Sequence, residues 1–335
     1  MDEITVSDQQ LTKLVIDKLV KVNIPEEHAE VVADVLVHAN LRNVNSHGVM
    51  RMKQYIDRII SGGLNTDPKI TVEKTGPVSA MVDGDNGMGH VVAKRAMETA
   101  INLAKENGAG LVGAMNSEHC GALSYFVELA AKEDLIGIGT TNANKLVAPF
   151  GGAEPFFGTN PIAYGFPSAN NPPVILDMAT SNVAFGKILH AREKGESIPN
   201  SWGINSEGQP TTDPNEVSVL LPIAGPKGYG LGLVVDVFSS ILTGSPFGPH
   251  IRSTLDFENL RNLGHFFVAI NPEMFIGIDQ FKKQMDDMIE SLHKQKPAKG
   301  FDRVLVPGEP EQTIHNKRLK EGIPIVKSTY EYLIS

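Results

Sequence analysis

Gly108-Ala109-Gly110-Leu111-Val112-Gly113 decides how this chain is to be read. Its G-x-G-x-x-G spacing is that of a dinucleotide turn, which works when it follows a strand and opens a helix, so that the helix N-terminus faces the pyrophosphate. Here the order is inverted. Residues 90–107 carry helical periodicity and 110–114 read as a strand, so Gly108 is a helix C-cap and the string leads into a sheet. A nucleotide bound by this chain is held elsewhere than on a Rossmann turn.

Working outward, strand-like and helical runs alternate. Residues 79–82 read as a strand, then come Gly84, Gly87 and Gly89, the 90–107 helix, the 110–114 strand, a helix over 121–132 and a strand over 135–141. That alternation predicts an α/β layered domain. A Pro/Gly-dense stretch covers 149–173, a strand ends at Asp177, a buried helix is expected over 228–242, a strand over 266–270 and an amphipathic helix over 278–294. The N-terminal side is helical. Ser7 with Gln10 fits a capping box ahead of Leu11, Leu14, Val15 and Leu19, and Pro25-Glu26-Glu27 opens a second helix. A third is expected from Ser46 to the Gly62-Gly63 pair. The expected division is a helical region over 1–75, a cofactor-binding and catalytic core over 76–310, and a tail over 311–335 packed on that core.

Composition narrows the class of function. A net charge of −9 disfavours nucleic acid, whose phosphates need a basic face. The single cysteine, Cys120, suits a reducing compartment, and the acidic start Met1-Asp2-Glu3 lacks the basic and apolar regions of a signal peptide, so a cytoplasmic setting is expected. The most apolar stretch, 231–242, is interrupted by Asp236, Ser239 and Ser240 and is too short to cross a bilayer. Neither paired cysteines nor a His-Glu-x-x-His string is present, and no metal site is expected.

Three groups of residues have the chemistry of a site. Ser46-His47-Gly48 with Arg51 and Tyr55 puts an imidazole, a guanidinium and a phenol at i, i+4 and i+8 of the expected helix. This is either a clamp for an acidic small molecule or a polar surface stripe capped by Ser46. Glu118-His119-Cys120-Gly121 lies at a strand-to-helix turn, where His119 is either an acid/base or a structural histidine. Gly225-Pro226-Lys227-Gly228-Tyr229-Gly230 opens a helix with a cation at its amide-rich end, as a phosphate site or as a tight loop with a solvated lysine. Asp177-Met178-Ala179-Thr180, at a strand end, fits either a cofactor contact or a helix cap.

Taken in order along the chain, these strings resemble the type-2 malate/L-lactate dehydrogenase family. Also matching are Pro149-Phe150-Gly151-Gly152, Gly158-Thr159-Asn160-Pro161, Pro210-Thr211-Thr212-Asp213-Pro214 and Pro307-Gly308-Glu309. The resemblance implies a non-Rossmann, sulfolactate-dehydrogenase-like fold: a three-layer αβα core with a mixed sheet, in a homodimer. It implies hydride transfer between NAD, or NADP, and a small 2-hydroxy acid. It further implies His119 as acid/base on the substrate hydroxyl, or His47 assisted by Ser46 and Asp177, with Arg51 and Tyr55 on the substrate. Cofactor contacts are implied at Ala143, Asp177, Met178, Ala179, Lys227, Glu309, Pro310 and Glu311. Ala143 departs from relatives that carry a hydroxyl there and offers only backbone. Within the family, Ser124-Tyr125-Phe126, Gly244-Ser245-Pro246-Phe247-Gly248, Arg261-Asn262-Leu263-Gly264 and the last six residues, 330–335, resemble the members that oxidise ureidoglycolate.

Overall fold

Ser7 starts the first helix through the reciprocal pair its spacing predicts: its hydroxyl accepts from Gln10 N–H, and the Gln10 side chain accepts from Ser7 N–H. The computed structural model describes residues 2–335. Strand β1 (Glu3–Val6) leads into α1 (Asp8–Val20) and α2 (Glu26–Leu41). Two single 3-10 turns, Asn45–His47 and Val49–Arg51, then precede α3 (Met52–Ile60). Leu11, Val15 and Leu19 pack with Val32, Leu36, Met52 and Ile56 in a core of their own.

The layered part begins with β2 (Thr71–Lys74), β3 (Ser79–Asp83), α4 (Gly89–Asn107), β4 (Ala109–Ser117), α5 (Leu123–Lys132) and β5 (Ile136–Thr141). It continues with β6 (Ile162–Phe166), β7 (Val174–Met178), α6 (Phe185–Lys194), the short strands β8 (Gly203–Ile204) and β9 (Val219–Leu220), and α7 (Pro226–Asp236). After β10 (Leu263–Ile270) come α8 (Ile278–His293), α9 (Glu309–Glu321), β11 (Ile323–Val326) and α10 (Lys327–Ile334). Seven strands form one mixed sheet in the order β2-β3-β4-β10-β5-β6-β7, in which only β3 and β4 run parallel. Successive strand residues face opposite sides, and two adjacent phenylalanines of β10 show both covered faces. Phe267 is buried against Phe126 of α5, while Phe266 stacks on Phe238, just beyond α7. The three-layer α/β architecture expected from the sequence is what forms.

Gly108 caps α4 with φ +87°, and a Cβ on Gly110 would lie 2.1 Å from the Ala100 carbonyl oxygen. The glycines of the opening string therefore end a helix and let it lie close on the sheet.

Two expectations are corrected. The helix after Gly225 is not buried all round: it passes into a π-helical turn over 237–241, and Leu233, Val234, Val237, Phe238, Ile241 and Leu242 are exposed. Its inner positions face β10 and β5, and that single contact face is as much as a helix at the outside of a layer can bury. Residues 311–335 pack chiefly on the N-terminal helices, and only the start of α9 lies beside the layered core. Strand β11 pairs with β1, α10 lies on α1, α9 lies on α2, and Arg318 donates to the Asn40 carbonyl. Ile323, Ile325 and Leu333 complete the apolar core of the N-terminal helices, which α1 to α3 leave open on that side.

Candidate active site

Gly48 ends the helical run that Ser46 was expected to begin. Its backbone is extended (φ −94°, ψ −156°), and a Cβ there would lie 2.2 Å from Asn40 Oδ1, the oxygen that accepts Val49 N–H at 2.8 Å. Only a glycine lets the chain pass this close to Asn40. His47, Arg51 and Tyr55 therefore do not share one face of one helix, as their spacing predicts. They sit on a 3-10 turn, the next 3-10 turn and the first turn of α3.

They converge all the same, and on His119. The His47 and His119 rings stack with centroids 5.6 Å apart, and Tyr55 Oη lies 2.8 Å from His119 Nδ1. Gly121 N–H also donates to Nδ1, at 3.3 Å. Nε2 of His119 has no hydrogen-bond partner among the described residues. Ser46 Oγ lies 3.0 Å from His47 Nδ1. Arg51 donates from Nε to the Ser46 carbonyl at 2.7 Å and from Nη1 to Gln54 Oε1 at 2.9 Å.

Solvent reaches the edges of both histidine rings, yet protein surrounds them, and removal from water disfavours their charged form. Burial, then Arg51 and the neighbouring His47, His90 and Arg261, hold His119 well below the ordinary histidine value. Burial and then Arg51 pull His47 down to about 4. Burial also raises the Tyr55 hydroxyl above its usual range. At neutral pH the site holds two uncharged imidazoles and a protonated phenol beside one fixed cation.

Behind this group lies a layer that the sequence analysis missed. Glu118 is buried and accepts from His119 N–H at 2.9 Å and from Arg261 Nη1 at 2.6 Å, with Arg58 Nη1 at 3.4 Å. Its two cationic partners come from α3 and from the segment before β10, too far along the chain for spacing to show. His90, wholly buried and edge-on to Tyr55, is lowered to about 3 by burial, then by His265 and His47. Cys120 is buried and pushed up to about 12, a thiol unsuited to act as a nucleophile.

Of the expected cofactor residues, Asp177, Met178 and Ala179 lie at the end of β7, one edge of the sheet, and hydrogen bonds bring the others towards it. Ile175 N–H donates to the Pro307 carbonyl at 3.2 Å, which brings the start of α9, with Glu309, Pro310 and Glu311, beside the strand. At the other end Thr180 N–H donates to the Thr159 carbonyl and Ile223 N–H to that of Thr180, both at 2.9 Å, which brings in the Gly225 turn and the exposed Lys227 on α7. Ala143 N–H donates to Asn160 Oδ1 at 3.2 Å. Asp177, midway with Met178 and Ala179, accepts Ser124 N–H at 2.8 Å and so ties this edge to the helix that follows His119. The Glu309 carboxylate is taken up by His293, Arg303 and Val306 N–H at 2.9, 2.8 and 3.2 Å, which holds it below the usual carboxylate value despite its partial burial. Glu311, the other acid of that first turn, is half-buried, and its carboxylate has no hydrogen bond or ion pair among the described residues.

These groups have the chemistry to hold a dinucleotide. The α7 N-terminus and Lys227 match a pyrophosphate, and an acidic first turn on α9 matches ribose hydroxyls. Among the described residues, no three His, Cys, Asp or Glu side chains are grouped to hold a metal ion, and no helix is long and apolar enough to cross a membrane.

A mixed-sheet αβα protein with neutral histidines stacked beside a tyrosine and an arginine, and no Rossmann turn, narrows the comparison to non-Rossmann oxidoreductases. The family model described as malate/L-lactate dehydrogenase matches residues 6–334, and the chain belongs to that family. It is 43% identical over 331 residues to the ureidoglycolate dehydrogenase (NAD(+)) of Escherichia coli K12, covering 98% of this chain and 95% of that one. It is 44% identical over 340 residues to the malate dehydrogenase of Pyrococcus horikoshii, covering 98% and 94%. The solved sulfolactate dehydrogenase of Methanocaldococcus jannaschii superposes with a TM-score of 0.93 at 42% identity, covering 98% and 95%.

Proposed function

We propose that this protein uses NAD to oxidise ureidoglycolate to oxalurate, a step of allantoin and purine catabolism, by removing hydrogen from C2 of the 2-hydroxy acid. The observation that carries the reaction is the Tyr55 hydroxyl set 2.8 Å from His119 Nδ1, with Nε2 unpartnered beside His47 and Arg51. The substrate rests on the ureidoglycolate-type strings at 124–126, 244–248, 261–264 and 330–335, and on a relative of that name. Malate is the second reading, with lactate, sulfolactate or a diketogulonate behind it, because a malate dehydrogenase matches equally well.

Neutral His119 takes the hydroxyl proton at Nε2, a position within the geometry a general base needs. That tautomer has its ring proton on Nδ1, donated to Tyr55 Oη at 2.8 Å, so it forgoes the longer 3.3 Å bond from Gly121 N–H, and Tyr55 holds the ring before and after transfer. Arg51, with its Nε and one Nη1 hydrogen engaged, keeps its remaining N–H groups for the substrate carboxylate. His47, with Ser46 on its Nδ1, is the other candidate for the proton. Bound NAD supplies the hydride acceptor. Lys227 and the α7 amides hold its pyrophosphate, the backbone of 143 and 177–179 lines its length, and Glu311 favours a ribose hydroxyl over the 2′-phosphate of NADP. The exposed apolar row on α7 and its π-turn supports a homodimer, and the single reduced thiol a cytoplasmic setting.

The test is NADH formation by the purified protein across ureidoglycolate, malate, lactate, sulfolactate and diketogulonate. Turnover of ureidoglycolate with the highest kcat/KM is expected; a clear preference for malate replaces the first reading with the second.

A further inference from the structure

Arg51 is not free to swing, and what restrains it reaches a segment two hundred residues further along the chain. Gln54, which accepts from Arg51 Nη1 through Oε1, donates through Nε2 to the Thr254 carbonyl at 3.2 Å. Thr254 belongs to the segment 251–262, which contains neither helix nor strand. This segment is strapped to α3 a second time: buried Arg58 donates to the carbonyls of Asp256 at 2.7 Å and Asn259 at 3.0 Å. On its far side the Thr254 hydroxyl and Arg261 Nη2 both donate to Asn144 Oδ1, one residue beyond Ala143. Arg261 goes on to Glu118 and so to the backbone of His119. A chain of hydrogen bonds thus runs from the cation through the segment and Asn144 to the backbone of the acid/base.

We infer that Gln54 is a positioning residue for this reaction, and that through it the 251–262 segment sets which 2-hydroxy acid is accepted. The inference rests on the reading of Arg51 as the carboxylate clamp. A 2-hydroxy acid bound there has its carboxylate fixed by Arg51 and its hydroxyl by His119. Only its third substituent distinguishes one such acid from another, and that group must fit the wall that remains. Gln54 fixes the distance between clamp and wall with one amide, its oxygen on the arginine and its nitrogen on the segment. Its side chain hydrogen-bonds to neither His119 nor Tyr55, so its loss acts on binding and selectivity ahead of the proton step.

The experiment compares Gln54→Met, near in shape but without the amide, and Gln54→Glu with wild type on ureidoglycolate and malate at saturating NAD. Thermal melts and an NADH titration accompany the kinetics. Gln54→Met is expected to raise KM for the preferred acid about tenfold, to leave kcat within about threefold, and to shrink the kcat/KM ratio between the two acids at least about fivefold. Gln54→Glu keeps an acceptor for Arg51 but loses the donor to Thr254 and adds a negative charge beside the substrate carboxylate, so its KM rises further. Cofactor affinity stays as in wild type. An unchanged KM and ratio in both variants overturns the inference, as does a fall in kcat at constant KM. Arg51→Lys separates the two readings. If it is impaired while Gln54→Met is not, this inference alone falls; if it is unimpaired on every acid, the clamp reading falls and takes this one with it.

Discussion

On the substrate side of the cleft, Tyr55 is 4% exposed, His90 and His265 are fully buried, and Glu118 is clamped by two buried arginines. On the proposed cofactor side, Lys227 and Asp177 are exposed and β7 lies at an edge of the sheet. The difference follows from what each side has to do. A proton is exchanged at one atom, so His119 needs a fixed ring and a dry neighbourhood that keeps it neutral. A dinucleotide is long and must come and go, which suits the proposed strip of backbone amides, one lysine and one acidic turn. Substitutions of the buried residues around His119 should therefore damage chemistry or folding, and those on the open side only binding.

Removing His119 should give the largest effect. His119→Ala is expected to lower turnover about 10²–10⁴-fold, the range of a lost general acid/base, with NADH binding retained. His47→Ala is the matched control; if it alone abolishes turnover, the two histidines exchange roles. Acid should separate the regions next. His90 and His265 sit near 3 and His47 near 4 in the fold, against about 6.5 for an unfolded histidine. As pH falls below about 6.5 the unfolded chain takes up protons that the fold refuses, so each ring costs about 1.4 kcal/mol of stability per pH unit until its folded pKa is reached. Urea unfolding at pH 7 and pH 5 should show that loss, and His90→Leu should flatten the slope by about one proton; an unchanged slope would mean the ring is already charged in the fold. Lys227→Ala should matter least. The loss of one exposed cation is worth about 1 kcal/mol, about fivefold in NADH affinity, with turnover at saturating cofactor unchanged. A loss of turnover there would break the comparison.

The strands that flank Gly108, together with β5, β7 and β10, were legible because their apolar residues alternate between turn residues. So were the Ser7 cap and the Gly108 cap, since both are local. Strand order was not: β10 lies between β4 and β5, a placement made by pairing over more than a hundred residues that no window reveals. His47, Arg51, His119 and Tyr55 were singled out for their chemistry, and they do meet, although Tyr55 has its hydroxyl on His119 and not on the open cleft. Their spacing suggested a helix because i+4 fits one; the Asn40–Gly48 contact that forbids it is invisible without coordinates. Glu118 stood in plain sight beside His119, but its worth depends on Arg58 and Arg261, which only the fold brings to it.

The pairing of β1 with β11 bears on how the protein is made. Lys327 N–H donates to the Asp2 carbonyl at 2.9 Å, and Ile323 and Ile325 enter the core that supports α3. In synthesis from the N-terminus, α1 to α3 emerge first and β11 emerges after every strand of the sheet. The layered core can assemble on the ribosome while the helices bearing His47, Arg51 and Tyr55 still lack their last wall. Contacts of such long sequence separation form late. The nascent enzyme would then acquire its dinucleotide edge before its proton-transfer site, and a chain truncated before residue 323 would be left with the first and without the second.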